Sequence, residues 1–113
     1  MEMDEISFNQ YQRLAKTTDI YPEEQALICH IFGLLSEAGE VADKVKKIFR
    51  DKNGKFSDES KKEIAYELGD VLWYISNIAY DIDFTLDEIQ EINIQKLSDR
   101  KERNKIGGSG DHR

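Results

Sequence analysis

The apolar residues between Glu23 and Arg50 recur at steps of three and four, and this period constrains the fold more than any other feature of the sequence. A stripe of this kind lies on one side of an α-helix, so we expect one long amphipathic helix, with a bend at Gly33 or Gly39. The stripe consists of Leu27, Ile28, Ile31, Leu34, Leu35, Ala38, Val41, Ala42, Val45, Ile48 and Phe49. Since no segment alternates long enough to form a half-buried strand, the predicted fold class is all-α.

Three further helices are expected around this one. A short helix, about Ser7 to Lys16, precedes the chain's only proline, and a third helix, about Asp58 to Tyr80, follows the N-cap residue Ser57. The capping box of Thr85 and Glu88 opens a fourth helix that runs to about Arg103.

The segment between the second and third helices contains the turn pair Asn53-Gly54, which predicts an antiparallel hairpin of these two helices. We therefore expect a four-helix bundle over residues 1–106, followed by a glycine-rich tail over residues 107–113.

Composition limits the partners of this chain. With 113 residues it is long enough for one domain, and its net charge of -7 argues against binding to nucleic acid. It has no apolar run of about 20 residues that could cross a membrane, and its acidic start is unlike a signal peptide, so we expect a cytoplasmic protein. A helical chain this small tends to share apolar surface with copies of itself, which predicts a homodimer or a homotetramer.

Two pairs of acidic residues lie beside the apolar stripes. Glu37 and Glu40 are three residues apart on the second helix, and Glu67 and Asp70 repeat that spacing on the third. Side chains three residues apart lie on the same side of a helix, and the hairpin turns the two pairs toward each other. Four carboxylates in one small volume need a cation, and Mg²⁺ is the divalent ion that best matches oxygen ligands and phosphate substrates.

Other interpretations of the acidic pairs remain open at this point. Each pair alone is typical of a solvated helix face. A di-iron bundle would need a Glu-x-x-His motif on two helices, and neither His30 nor His112 has a glutamate three residues before it.

The segments SEAGEVADK and YELGDVLWYISNIA, which contain the four acids, resemble the E-x-x-E and E-x-x-D motifs of the MazG-like all-α nucleoside triphosphate pyrophosphohydrolases. The fourth-helix segment NIQKLSDRKERN and the tail segment GGSGD are similar to the closing part of small single-domain members. The resemblance covers nearly the whole chain and implies a four-helix fold with the acidic site on the hairpin, completed by oligomerisation.

The resemblance also implies an activity. Members of this family cleave a nucleoside triphosphate, often a deoxynucleotide, between the α and β phosphates in a Mg²⁺-dependent reaction, and Mn²⁺ is expected as a substitute. Nucleotide-pool house-cleaning is the implied role. The alternatives are a phosphoribosyl-ATP pyrophosphohydrolase and a non-catalytic acidic helical oligomer that acts as an interaction or regulatory module.

Site residues follow from the resemblance position by position. The catalytic metal ligands would be Glu37, Glu40, Glu67 and Asp70, with one glutamate left open as the general base. Tyr74 and Asn77 continue the stripe of Asp70 and are candidates for base and sugar contacts. Phosphate contacts are expected from the fourth-helix stripe of Asn93, Lys96 and Arg100.

Overall fold

The computed structural model describes residues 5–112, and within that range it is all-helical, which confirms the predicted class. The first four residues of the predicted domain and the last residue of the predicted tail lie outside this range. The helices are α1 (Phe8–Lys16), α2 (Ala26–Asp51), α3 (Asp58–Asp81) and α4 (Leu86–Glu102). The one difference from the expected boundaries is at the start of the second helix, where Glu23–Gln25 form a separate 3₁₀ turn.

Apart from the start of α2, the ends of the helices lie within one residue of the predicted positions. Ser7 caps α1, and Ser57 caps α3 by accepting a hydrogen bond from the backbone N–H of Ser60. The capping box at Thr85 forms as expected. Between α2 and α3, Asn53 and Gly54 both adopt positive φ angles, and the Gly54 N–H donates to the Ile48 carbonyl, which ends α2 and reverses the chain.

The antiparallel α2–α3 hairpin is the centre of the fold, and α1 and α4 pack against α3. Gln12, a buried residue of α1, links α1 to α3 and to the start of α4 through hydrogen bonds. Its side-chain amide donates to the Ser76 and Phe84 carbonyls at 3.3 and 2.9 Å, and its carbonyl accepts from the Leu86 N–H at 3.3 Å. One hydrogen-bonded glutamine therefore sets where α4 begins relative to α1 and α3.

The isolated chain buries little of its own apolar surface. Among residues 5–112, the fully buried hydrophobic residues are Ala15, Ala26, Ile48, Ala79 and Leu86. Much of α2 is exposed instead: Leu35 is 66% exposed, and Ile28, Phe32 and Phe49 are exposed to a similar extent. In chain order, the steps between these four residues are four, three and fourteen positions, which keeps them on one side of the helix, and we call them the outer α2 stripe.

The overall dimensions agree with that exposure. The accessible surface is 8627 Å², whereas a monomer of 13.1 kDa typically has about 6,400 Å². The radius of gyration is 16.9 Å, compared with about 13 Å for a compact domain of this length. No helix among the described residues has the length and apolar character needed to cross a membrane.

Candidate metal centre

Three of the four predicted acids meet between α2 and α3. One carboxylate oxygen from each of Glu37, Glu67 and Asp70 lies within 4.8 Å of the others. We call these three residues the acid trio. Glu37 comes from the middle of α2, while Glu67 and Asp70 come from the facing part of α3, so the hairpin alone assembles the group.

The electrostatics of the trio are those of crowded like charges. Burial raises the pKa of Glu37, and the charges of Asp70 and Glu67 raise it further. A proton or a cation is therefore needed to relieve the repulsion. Carboxylate oxygens are the ligands that hard divalent ions prefer, so the trio has the donor atoms that such an ion would need.

Glu40 lies outside the trio. It is exposed on α2, one turn beyond Glu37, although its charge still contributes to the raised pKa of Glu37. Its role as a fourth ligand stays a prediction.

Tyr74 stands beside the trio, as its position one turn after Asp70 predicts. It lines a small pocket together with Glu37, Asp70 and Trp73. The ring of Tyr74 occupies the space that a side chain at Gly33 would need, because a Cβ added there would overlap the ring. Gly33 therefore provides clearance for the ring of Tyr74, whereas a Cβ at Gly39 would meet no atom within 4 Å.

Asn77 is nearly inaccessible in the isolated chain. It is 1% exposed, and its side-chain nitrogen donates to the Trp73 carbonyl at 3.1 Å. Its side-chain oxygen has no hydrogen-bond partner among the described residues. A contact between Asn77 and a nucleotide stays a prediction, and it would require local opening of the helix packing.

The basic stripe of α4 contacts the glycine-rich tail. Lys96 forms an ion pair with Asp111 at 3.1 Å, and Arg100, which is 5% exposed, donates to the carbonyls of Gly110 and Asp111. Lys96 is the main cause of the lowered pKa of Asp111. Asn93 lies exposed on the same helix. The phosphate contacts expected from these three residues stay predictions.

Three residues near the site did not stand out in the sequence as a group. Burial raises the pKa of Tyr11 of α1, and the nearby charge of Asp70 raises it further. Tyr21 lies in the segment between α1 and α2, and its hydroxyl is 3.0 Å from the hydroxyl of Tyr74. His30 is fully buried and hydrogen-bonded to Asp81.

No local pattern could have joined these residues to the site. Tyr21 and Tyr74 are 53 positions apart, and His30 and Asp81 are 51 apart. The periodicity of a single helix carries no information on such distant pairs. The one available signal was the placement of His30 two turns before Glu37 on α2.

Comparison with known proteins connects the hairpin to a family. The model of the "MazG nucleotide pyrophosphohydrolase domain" matches residues 26–104, which include α2, α3, α4 and both acidic pairs. The chain is 43% identical over 109 residues to the Gene 37 protein of Mycobacterium phage L5, covering 91% of this chain and 96% of that protein. No solved structure matches the chain significantly.

Proposed function

The chain belongs to the MazG nucleotide pyrophosphohydrolase family, and from this premise we propose that it hydrolyses a nucleoside triphosphate to the monophosphate and diphosphate. The observation that carries the proposal is the acid trio, whose three carboxylates face one small volume next to Tyr74. We further propose Mg²⁺ as the natural ion, with Mn²⁺ as a substitute, a deoxynucleotide as the substrate, and nucleotide-pool house-cleaning in the cytoplasm as the role.

The trio would hold the divalent ion, and Tyr74 would border the bound nucleotide. When bound, the ion supplies charge neutralisation of the triphosphate and a lower pKa of a coordinated water molecule. Water adds to the α-phosphorus, and the bond from that phosphorus to the bridging oxygen breaks, so that diphosphate leaves.

We assign Glu40 as the acceptor of the proton that the attacking water loses. Glu40 is the one predicted acid outside the trio, and it is exposed one turn from Glu37. A carboxylate that is not held by the metal retains lone pairs for proton transfer. Glu37, Glu67 and Asp70 would then be the metal ligands, and Glu40 would act as the general base instead of the predicted fourth ligand.

A panel of canonical and modified dNTPs and NTPs, incubated with the purified protein and Mg²⁺, tests the activity through release of diphosphate. We expect turnover of at least one nucleotide, and a loss of about 100-fold or more in kcat for Asp70→Asn and for Glu40→Gln. Phosphoribosyl-ATP belongs in the same panel, and turnover restricted to it would favour the biosynthetic alternative.

Binding of Mn²⁺, followed by electron paramagnetic resonance, separates the two roles. Asp70→Asn should weaken Mn²⁺ binding, whereas Glu40→Gln should retain it, because only Asp70 belongs to the trio. If no nucleotide is hydrolysed and divalent ions leave the Tm unchanged, the enzyme proposal is wrong and the non-catalytic interaction module is favoured.

We also propose that the protein is a homo-oligomer. The chain exposes about 2,200 Å² more surface than a typical monomer of its mass. This excess matches the area per chain that stable obligate interfaces bury. The outer α2 stripe is the most continuous apolar part of this surface. A second copy of the chain is the occupant that the area and the apolar character of the stripe favour.

A further inference from the structure

A buried histidine is enclosed by two carboxylates at the end of the hairpin opposite the α2–α3 turn. His30 of α2 is 0% exposed, its Nδ1 bonds to Asp81 at the end of α3, and its Nε2 lies 3.1 Å from Oδ2 of Asp19. We call Asp19, His30 and Asp81 the histidine cluster. None of its members belongs to the acid trio or to the basic stripe of α4.

The cluster fixes the segment between α1 and α2. Burial disfavours the charged form of Asp19, but the Tyr21 N–H, His30 and Lys16 outweigh it and lower the pKa of this carboxyl. Asp19 thus remains a carboxylate that accepts from the Tyr21 N–H at 3.1 Å and pairs with Lys16 at 3.2 Å. The backbone of Tyr21 is therefore held by a charge that His30 helps to stabilise.

The same cluster reaches the metal centre through two tyrosines. The hydroxyl of Tyr21 is hydrogen-bonded to that of Tyr74, and the His30 ring packs edge-to-face with both tyrosine rings, with centroid distances of 5.3 and 6.2 Å. Tyr74 has Gly33 on its other side and lines the pocket that contains Glu37 and Asp70. The orientation of Tyr74 thus depends on a series of contacts that connects the histidine cluster to the acid trio.

We propose that the histidine cluster, acting through Tyr21, positions Tyr74 for nucleotide binding beside the acid trio. His30 and Tyr21 are thereby positioning residues of the site, and Tyr74 is the residue that contacts the nucleotide. The inference rests on the proposed function for the identity of the ligand. A buried charged cluster contributes little net stability compared with apolar packing, whereas it does fix one geometry of the groups that it binds.

Steady-state kinetics of His30→Leu, Tyr21→Phe and the double variant test this connection. Each single variant should raise KM about tenfold, the value of one lost hydrogen bond, with kcat changed less than about twofold. The double variant should be no worse than His30→Leu, because both changes interrupt the same path. His30→Gln, which keeps an N–H donor, should recover part of the loss.

Ile48→Ala is the matched control for lost stability. Ile48 is a buried residue of α2 far along the helix from His30, so this change should lower the Tm and leave KM unchanged. Tyr21→Phe removes only a hydroxyl, and it keeps the test valid if His30→Leu fails to fold. Unchanged KM in Tyr21→Phe, or strictly multiplicative effects in the double variant, would overturn the inference.

Fluorescence of Trp73 gives a readout without turnover. It is the chain's only tryptophan, and its ring centroid lies 4.9 Å from that of Tyr74 and 5.8 Å from that of His30. Tyr21→Phe should change its emission, and Ile48→Ala should not. A changed emission in a protein that hydrolyses no nucleotide refutes the proposed function alone, whereas an unchanged emission refutes the positioning of Tyr74.

Discussion

At the residue scale, the chemistry of the site depends on the crowding of carboxylates around Glu37 and on the packing space available to Tyr74. Glu37 is crowded by two other carboxylates, and Tyr74 fills the room that Gly33 leaves open. Both arrangements are unfavourable for an isolated helix, because like charges repel and glycine weakens a helix. Such residues are expected where a ligand supplies the missing stabilisation.

The pH dependence of stability should reveal the charge of Glu37. Its pKa is raised above the usual 4.5, first by burial and then by Asp70 and Glu67. A carboxyl with a higher pKa in the folded chain stabilises the fold at low pH and loses that contribution as the pH rises through the folded-state pKa. In EDTA, the Tm values of wild type and Glu37→Gln should be most similar below pH 4.5, where Glu37 is protonated in both the folded and the unfolded chain.

At pH 7.5, by contrast, Glu37→Gln should have the higher Tm, by roughly 2–4 °C, which is the shift that about 0.5 kcal/mol produces in a domain of this size. Mg²⁺ should raise the Tm of the wild type and leave that of Glu37→Gln nearly unchanged. Thermal unfolding over the pH range measures both effects. Parallel Tm curves for the two proteins would contradict the assignment of a strained carboxyl.

Gly33 and Gly39 allow a matched comparison within α2. Gly33→Ala should destabilise the protein by about 1–3 kcal/mol, because the new methyl group overlaps the ring of Tyr74. Gly39→Ala places its methyl group in open space within the protomer and gains helix propensity, up to about 1 kcal/mol. Denaturant unfolding measures the difference, and equal stabilities would show that Tyr74 can move aside at no cost.

At the scale of elements, α4 and the tail behave as one unit. Arg100 donates hydrogen bonds to the carbonyls of Gly110 and Asp111, and Lys96 forms an ion pair with the carboxylate of Asp111. The sequence predicts phosphate contacts for these same cations. An anionic substrate and Asp111 would then compete for Lys96.

Kinetics of Asp111→Ala and Lys96→Ala test that competition. Loss of Asp111 should lower KM by about two- to fivefold, the worth of an exposed ion pair, and loss of Lys96 should raise it. Lys101→Ala, an exposed lysine of the same helix, is the control and should leave KM unchanged. If KM rises in Asp111→Ala, the tail supports the site instead of competing for it.

At the scale of the whole molecule, the chain has more surface and a larger radius than a compact monomer of its mass. Exposed apolar residues occupy α2, α3 and α4, while few hydrophobic residues of the described range are fully buried. The hydrophobic gain from folding alone is correspondingly small, and covering the outer α2 stripe would enlarge it.

Sedimentation equilibrium should therefore find the wild type as a dimer or a larger assembly. Phe32→Lys, in the outer α2 stripe, should shift the protein toward the 13.1 kDa monomer, because a charge is costly in an apolar interface. Ile20→Lys changes an equally apolar residue that is 92% exposed outside the helices, and it should leave the assembly intact. A wild type that sediments as a monomer would contradict the proposal.

Much of this fold follows from local sequence. The helix starts at Ser57 and Thr85 and the reversal at Asn53-Gly54 were predicted, because a cap or a turn depends on a few neighbouring residues. The start of α2 was placed at Glu23 instead of Ala26, since the 3₁₀ turn after Pro22 has no distinctive pattern.

Within the site, the helical period of 3.6 residues is enough to predict that Glu37 on α2 faces Glu67 and Asp70 on α3, because the period sets the side of a helix on which each residue lies. The folded structure alone shows that Glu40 remains exposed outside the trio and that Gly33 makes room for the ring of Tyr74. It likewise decided that Tyr21 and His30 reach Tyr74. Such contacts join residues that are far apart in the chain, and their distances depend on how the helices pack against each other, which no local pattern encodes.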